Sequence, residues 1–250
     1  MDTQKKKRIN GVLHLSDPPY DFEAPYLKFR KKESYVLSDA EVSELPNTFL
    51  YNLHRKEWEL RAKSIQRLYN YLKKQEMKKI VLDLGCGNGW VSSKIAQIEG
   101  IEVWGLDINL FELEQAARVF PQENLKFCYG NVYENIFEEA SFDYIIISDA
   151  ISYFSNLQQL INRSRSLLKG GGEIHILDSP IYTENQLEDA QKQKEAYFEK
   201  LSCLEMMEYY HFHQKSDLAP YDYEFLYTYG FFKRLLRKKD SIYPWVKIIN

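Results

Sequence analysis

Between residues 47 and 72, Tyr51, Arg55, Trp58, Ala62, Ile65, Tyr69 and Leu72 recur at alternating steps of four and three. That spacing holds one side of an α-helix in register and predicts a helix with one buried face, with Arg55 inside the stripe. After Lys79 the period changes. Short runs rich in β-branched residues, at 80–84, 102–107, 125–129, 144–148 and 173–178, alternate with amphipathic stretches at 90–98, 110–120 and 157–168. Strands separated by helices call for crossover connections, so this part is read as a parallel sheet with helices on both faces. A charged helix over 184–200 and two aromatic strands at 223–229 and 243–249 complete a mostly parallel α/β sheet of seven strands. Residues 1–48 are polar and aperiodic, with Pro18, Pro19, Pro25 and Pro46 as breakers, and are expected to form an arm or lid with little regular structure that leads into the first helix. Residues 49–250 then make one domain, with its core at 79–178 and the acceptor-pocket elements and last two strands at 179–250.

Composition narrows the function without deciding it. Lys and Arg total 33 against 36 Asp and Glu, a net charge of -3, so no global field draws a phosphate backbone and nucleic acid is not expected as a partner. Cys86, Cys128 and Cys203 are widely spaced and are read as free thiols in a reducing compartment, without structural zinc. The N-terminus lacks an apolar run of signal length and no segment reaches the length of a membrane span, so a cytoplasmic location without membrane attachment is expected. The 19 Tyr and 14 Phe, many in the last third, predict wide aromatic contact surfaces there.

The candidate chemistry begins in Val81-Leu82-Asp83-Leu84-Gly85-Cys86-Gly87-Asn88-Gly89, where glycines fall at every second position after a strand. Glycine there permits positive φ and lets a ligand lie against bare backbone. A dinucleotide fingerprint would need its third glycine where Trp90 stands, so a nicotinamide-binding oxidoreductase fails on spacing. Asp107 closes the next strand about 20 residues on, placed to accept both hydroxyls of a ribose, and Gly130-Asn131 closes the one after, where the Asn131 side-chain oxygen can meet an adenine amino group.

Asp-x-Gly-x-Gly-x-Gly, the acid after the second strand and Leu168-Lys169-Gly170-Gly171-Gly172 together resemble a class I S-adenosylmethionine-dependent methyltransferase over about residues 79–178. The resemblance implies a Rossmann-like fold, S-adenosylmethionine as cofactor and S-adenosylhomocysteine as product. It also implies that Gly85, Cys86 and Gly87 contact the methionine portion and ribose, that Asp83 orients the loop and the cofactor amino group, and that Asp107 holds the ribose. Ile108, Asn131 and Val132 would frame the adenine, with Ser148 beside the cofactor. Families of this type often carry Asp where Asn131 stands and Pro where Gly170 stands. We expect Arg55 either to reach the cofactor carboxylate or to pair with a protein carboxylate such as Glu59.

The acceptor half is less determined. Asp149, just after the fourth strand, is read either as a general base or substrate anchor or as a helix N-cap or turn carboxylate. His211 and His213 are read as candidate bases or as ordinary core or surface histidines, and His175, inside a strand, as structural. Asp149 with Asp178 is reminiscent of metal-dependent catechol-type enzymes, but Ser179 stands where those carry Asn, and no metal is expected. Ser16-Asp17-Pro18-Pro19-Tyr20 resembles the base-gripping motif of DNA amino-methyltransferases, and Val12-Leu13-His14-Leu15 before it could pass for a strand; that motif ends the fourth strand, a slot already filled by 144–149, and a proline turn is the simpler account. The basic residues between 233 and 239 are read as a solvated helix face. The expected function is methyl transfer to oxygen or nitrogen of a small-molecule acceptor, with the arm and the Tyr-rich segment 209–229 forming its pocket. The rival is a binding protein that holds the cofactor without turnover, with nucleic-acid or protein methylation behind it. Oligomeric state is not set by the sequence.

Overall fold

The computed structural model of the chain describes residues 7–17, 20–49, 51–74, 77–229 and 240–250. The Pro18-Pro19 pair and the basic residues 233–239 lie outside them. Nine strands form one sheet in the order β1-β2-β5-β4-β3-β6-β7-β9-β8. Its parallel centre comprises β3 (Lys79–Leu84), β4 (Ile101–Asp107), β5 (Leu125–Tyr129), β6 (Phe142–Ser148) and β7 (Leu168–Leu177). β8 (Tyr223–Tyr227) and β9 (Trp245–Ile249) add an antiparallel pair beside β7.

The sheet has two strands more than the seven expected, and both come from the arm. Asn10 and Gly11 hold φ of 49° and 85°, a tight turn that joins β1 (Arg8–Ile9) to β2 (Val12–His14). A Cβ at Gly11 would stand 2.9 Å from that of Ala117, so the hairpin tip packs on the helix behind it. β2 then runs parallel to β5, pairing Leu13 with Cys128 and His14 with Tyr129. The rest of the arm also departs from its irregular expectation, folding into α1 (Glu23–Lys32) and α2 (Asp39–Glu44), the latter closed by a capping box between Ser38 and Glu41.

Period-two alternation splits the core between the two faces of the sheet. Val81, Val103 and Ile146 face α3 (Arg55–Leu72), α4 (Trp90–Ala96) and α5 (Leu110–Val119). Leu82, Leu84, Leu106, Ile145 and Ile147 face α6 (Leu157–Leu167). A third cluster joins Phe29 of α1 to Phe198 of α7 (Glu184–Lys200), Cys203 and Met206. α3 begins later than its stripe implied: Tyr51 lies outside it and is exposed; Trp58, Ile65 and Leu72 of the stripe are buried as expected, but Leu68 rather than Tyr69 completes the buried face. Among the described residues no helix is long and apolar enough to cross a membrane.

Candidate functional site

The carboxyl ends of β3, β4, β5 and β6 meet beneath α1 and α3. After β3 the chain turns through Gly85, Gly87 and Gly89 at φ of 76°, 52° and 75°. The Gly87 N–H donates to Asp107 Oδ2 at 2.8 Å, while Asp107 Oδ1 accepts from the Asn109 N–H at 2.9 Å. The acid at the end of β4 thus braces the glycine turn and the start of α5, and each oxygen keeps a further lone pair. Asp83 is buried on β3 and accepts from Ser92 Oγ at 2.5 Å; burial pushes its carboxyl up to about 7. Burial likewise pushes Glu112, beside Gly87, up to about 7, against the pull of Arg30.

Two adjoining cavities share Tyr26, Gly85, Gly87 and Asp149. The larger, about 270 Å³, runs between Asp107, Ile108, Asn131 and Val132 on one side and Tyr153, Phe154 and His211 on the other. The smaller, about 70 Å³, is lined by Asp83, Cys86, Glu112 and Ser148 and by two arginines, Arg30 and Arg61. Arg61 pairs with Asp149 and lies 5.0 Å from the centre of the Trp58 ring. Arg30 lies 3.9 Å from the Tyr35 ring centre and donates to Glu33 at 3.2 Å, yet its buried Nε has no partner among the described residues.

Of the residues singled out in the sequence, Asp83, Gly85, Cys86, Gly87, Asp107, Ile108, Asn131, Val132, Ser148, Asp149 and His211 line these two cavities, and Arg55 and His213 do not. Arg55 is the first residue of α3 and half-exposed, and it pairs with Glu59 at 3.2 Å; a guanidinium at that end of the helix meets solvent before it meets the cleft. His213 is 4% exposed and donates from Nε2 to the Ile151 carbonyl at 2.8 Å, tying the Tyr-rich segment to the loop after β6 rather than facing the cavities. Asp149 is not a cap: the turn over Ile151–Tyr153 starts at Ala150 with no side-chain cap, and Asp149 holds φ of 55° at the rim of both cavities. Asn131 Oδ1 accepts from the Tyr133 N–H at 3.0 Å, so its oxygen already serves a turn.

Arg30, Arg61, Glu112 and the aromatic wall of Tyr26 and Tyr153 went unnoticed. Arg61 had a signal, since it falls in step with Trp58, Ile65, Leu68 and Leu72. Ser16 and Tyr20 follow β2, four places along the sheet from β6, where Tyr20 donates to Glu134 at 2.8 Å. A base-gripping motif would have to stand beside β6. Among the described residues no group of three or more His, Cys, Asp or Glu is arranged to hold a metal ion.

A parallel sheet of this order, a glycine turn braced by the acid of the neighbouring strand, and a cavity on each side of that turn define the class I S-adenosylmethionine-dependent methyltransferases. The chain belongs to the methyltransferase domain family, whose model matches residues 75–247. It is 30% identical over 115 residues to sterol 24-C-methyltransferase ERG6B of Gibberella zeae, covering 43% of this chain and 30% of that protein. Over 178 residues it is 30% identical to ribosomal RNA small subunit methyltransferase C of Actinobacillus pleuropneumoniae, covering 67% and 50%. The chain thus spans half the length or less of these curated relatives. Geranyl diphosphate C-methyltransferase from Streptomyces coelicolor shares the fold, with a TM-score of 0.58 at 14% identity over 84% of this chain and 83% of that one.

Proposed function

We propose that the chain binds S-adenosylmethionine across the glycine turn and passes its methyl group to oxygen or nitrogen of a small-molecule acceptor in the larger cavity. The observation that carries this is the meeting of a small charged cavity and a larger apolar cleft at Gly85, Gly87 and Asp149. The residues fit the cofactor. A Cβ at Gly85 would come within 2.6 Å of the Ala150 Cβ, so the turn keeps its backbone bare where a ligand passes. The unpartnered Arg30 Nε and the buried Arg61 suit a carboxylate, and Asp107 retains lone pairs for a ribose. When bound, S-adenosylmethionine supplies a methyl group activated by a sulfonium centre.

The protein's part is to align that group with the acceptor and exclude water. Tyr26, Tyr153 and Phe154 wall the cleft, and Ile108 and Val132 offer apolar faces to a flat ring. Asp149 is the group we place against the acceptor's nucleophile. Burial pushes its carboxyl above the usual range while Arg61 draws it back, which makes it a stronger base than a free carboxylate. His211, on the same cleft, is pushed down by burial and is the second candidate. A cofactor-binding protein without turnover would share both cavities, and release of S-adenosylhomocysteine from a panel of hydroxyl and amine metabolites separates the two.

Asp107→Ala is expected to weaken S-adenosylhomocysteine binding by about 1–3 kcal/mol, the range for a charge-assisted hydrogen bond, in calorimetry on protein shown to be folded. An unchanged dissociation constant removes Asp107 from the ribose. With an acceptor in hand, Asp149→Asn keeps the partner of Arg61 but loses the base. We expect kcat to fall roughly 10²- to 10⁴-fold with cofactor affinity nearly constant. Wild-type turnover would instead leave Asp149 as a structural partner of Arg61.

A further inference from the structure

The smaller cavity carries both signs of charge, and one of its carboxylates is only half engaged. Arg30 and Arg61 line it from α1 and α3, and Asp83, Glu112 and Asp149 line it from β3, α5 and the loop after β6. Asp149 is paired with Arg61, and Asp83, 1% exposed, accepts from Ser92. Glu112 differs. Its Oε2 accepts from Asn109 Nδ2 at 3.2 Å, while its Oε1 takes no hydrogen bond or ion pair among the described residues and is open to solvent rather than sealed in the protein. Arg30 and Arg61 act on it electrostatically without forming an ion pair with it. The same carboxylate lies over the glycine turn, where a Cβ at Gly87 would stand 3.3 Å from Oε2.

A ligand whose carboxylate meets Arg30 and Arg61 brings a positive charge into the same cavity when that carboxylate belongs to an α-amino acid. An ammonium taken out of water needs an acceptor, preferably an anionic one, and Glu112 is the lining carboxylate with an unused oxygen. It lies within electrostatic reach of Asp107 and of both arginines, the groups placed at the ribose and carboxylate ends of the methionine portion. Burial holds its carboxyl above the usual range, and a cation beside it favours the ionised form. We propose that Glu112 accepts the ammonium of the cofactor's amino-acid portion, which makes the smaller cavity a receptor for a zwitterion. The assignment rests on the methyltransferase reading above and names a further binding residue of that same site. The competing role is internal: Glu112 offsets the charge of Arg30 and touches no ligand.

The test titrates S-adenosylhomocysteine, and its analogue with hydrogen in place of the amino group, into the full chain by calorimetry. In the wild type the amino compound binds more tightly by roughly 10- to 100-fold, as one charge-assisted hydrogen bond provides. Glu112→Met brings that gap to within about threefold, and Glu112→Gln, whose amide oxygen still accepts, leaves an intermediate one. Methionine is a good helix former, so α5 withstands the change. Glu112→Met also keeps the wild-type preference for S-adenosylhomocysteine over the analogue lacking the carboxylate; loss of both preferences together makes Glu112 a support of the arginines and overturns the assignment. Two compounds bound equally by the wild type, or a gap that survives Glu112→Met, overturn it while the cofactor reading stands, and a gap that Asp83→Asn abolishes instead moves the ammonium to Asp83. Both affinities falling in parallel in Glu112→Met point to the Arg30 role and likewise overturn it. A wild-type chain that does not bind S-adenosylhomocysteine overturns the methyltransferase reading, and the role of Glu112 falls with it.

Discussion

Arg61→Met is expected to weaken S-adenosylhomocysteine binding by about 2–4 kcal/mol, roughly 30- to 1000-fold, the cost of truncating one partner of a desolvated charge pair. Arg55→Met should leave it within about twofold. The contrast follows from placement on one helix. Arg61 is held against Trp58 at the rim of the smaller cavity, whereas Arg55 is half-exposed and paired with Glu59. Methionine preserves the apolar stem of Arg61, so packing on Trp58 largely survives. Because the change also deprives Asp149 of its partner, the deciding measurement compares S-adenosylhomocysteine with its analogue lacking the carboxylate. If Arg61 holds that carboxylate, the wild type discriminates between the two and Arg61→Met does not. Equal discrimination by both proteins would confine Arg61 to positioning Asp149.

Gly89→Ala should have the largest effect on the fold. Gly89 has φ of 75°, and a Cβ there would stand 2.5 and 2.6 Å from ring carbons of Phe127 and 2.8 Å from the Ala116 Cβ. Phe127 is 3% exposed in the middle of β5 and cannot swing aside. Left-handed backbone costs a non-glycine residue about 1–2 kcal/mol, and overpacking a tight core adds about 1–3 kcal/mol. Together these predict a loss of about 2–5 kcal/mol, roughly 5–15 °C in melting temperature for a chain of this size. Gly171→Ala is the control, since it has the same φ of 75° but nothing within 4 Å of the added carbon. Only the backbone cost should appear there, and similar melting temperatures for the two variants would refute the packing argument.

Periodicity made the centre of the sheet readable because each of its strands is buried on both faces and each helix on one. The range expected for β5 matches Leu125–Tyr129, and that for α7 matches Glu184–Lys200. The glycine turn with Asp107 was readable too, since a local backbone requirement writes itself into consecutive residues. Three-residue β2 was left out of the expected sheet although Val12-Leu13-His14-Leu15 could pass for a strand, because so short a run carries no period and its place comes from its pairing with β5, more than a hundred residues away. That Arg61 was passed over has a different cause. The stripe took Ala62 and Tyr69 where the face turned to the site and the core runs through Arg61 and Leu68, and it began at Tyr51, before the helix starts, so it passed over Arg61.

The hairpin at the start of the chain bears on how the protein behaves in a crowded solution. A sheet beginning at β5 would present the unpaired backbone of a strand carrying Phe127, Cys128 and Tyr129, a row of groups onto which another chain could add. β2 occupies the Cys128 and Tyr129 end of that row, and beyond it lies β1, two residues long among the described residues, with Arg8 exposed. The arm thus covers part of that margin, and the segment that brings α1 over the cleft also shortens the row of backbone groups on this side of the sheet onto which another chain could add.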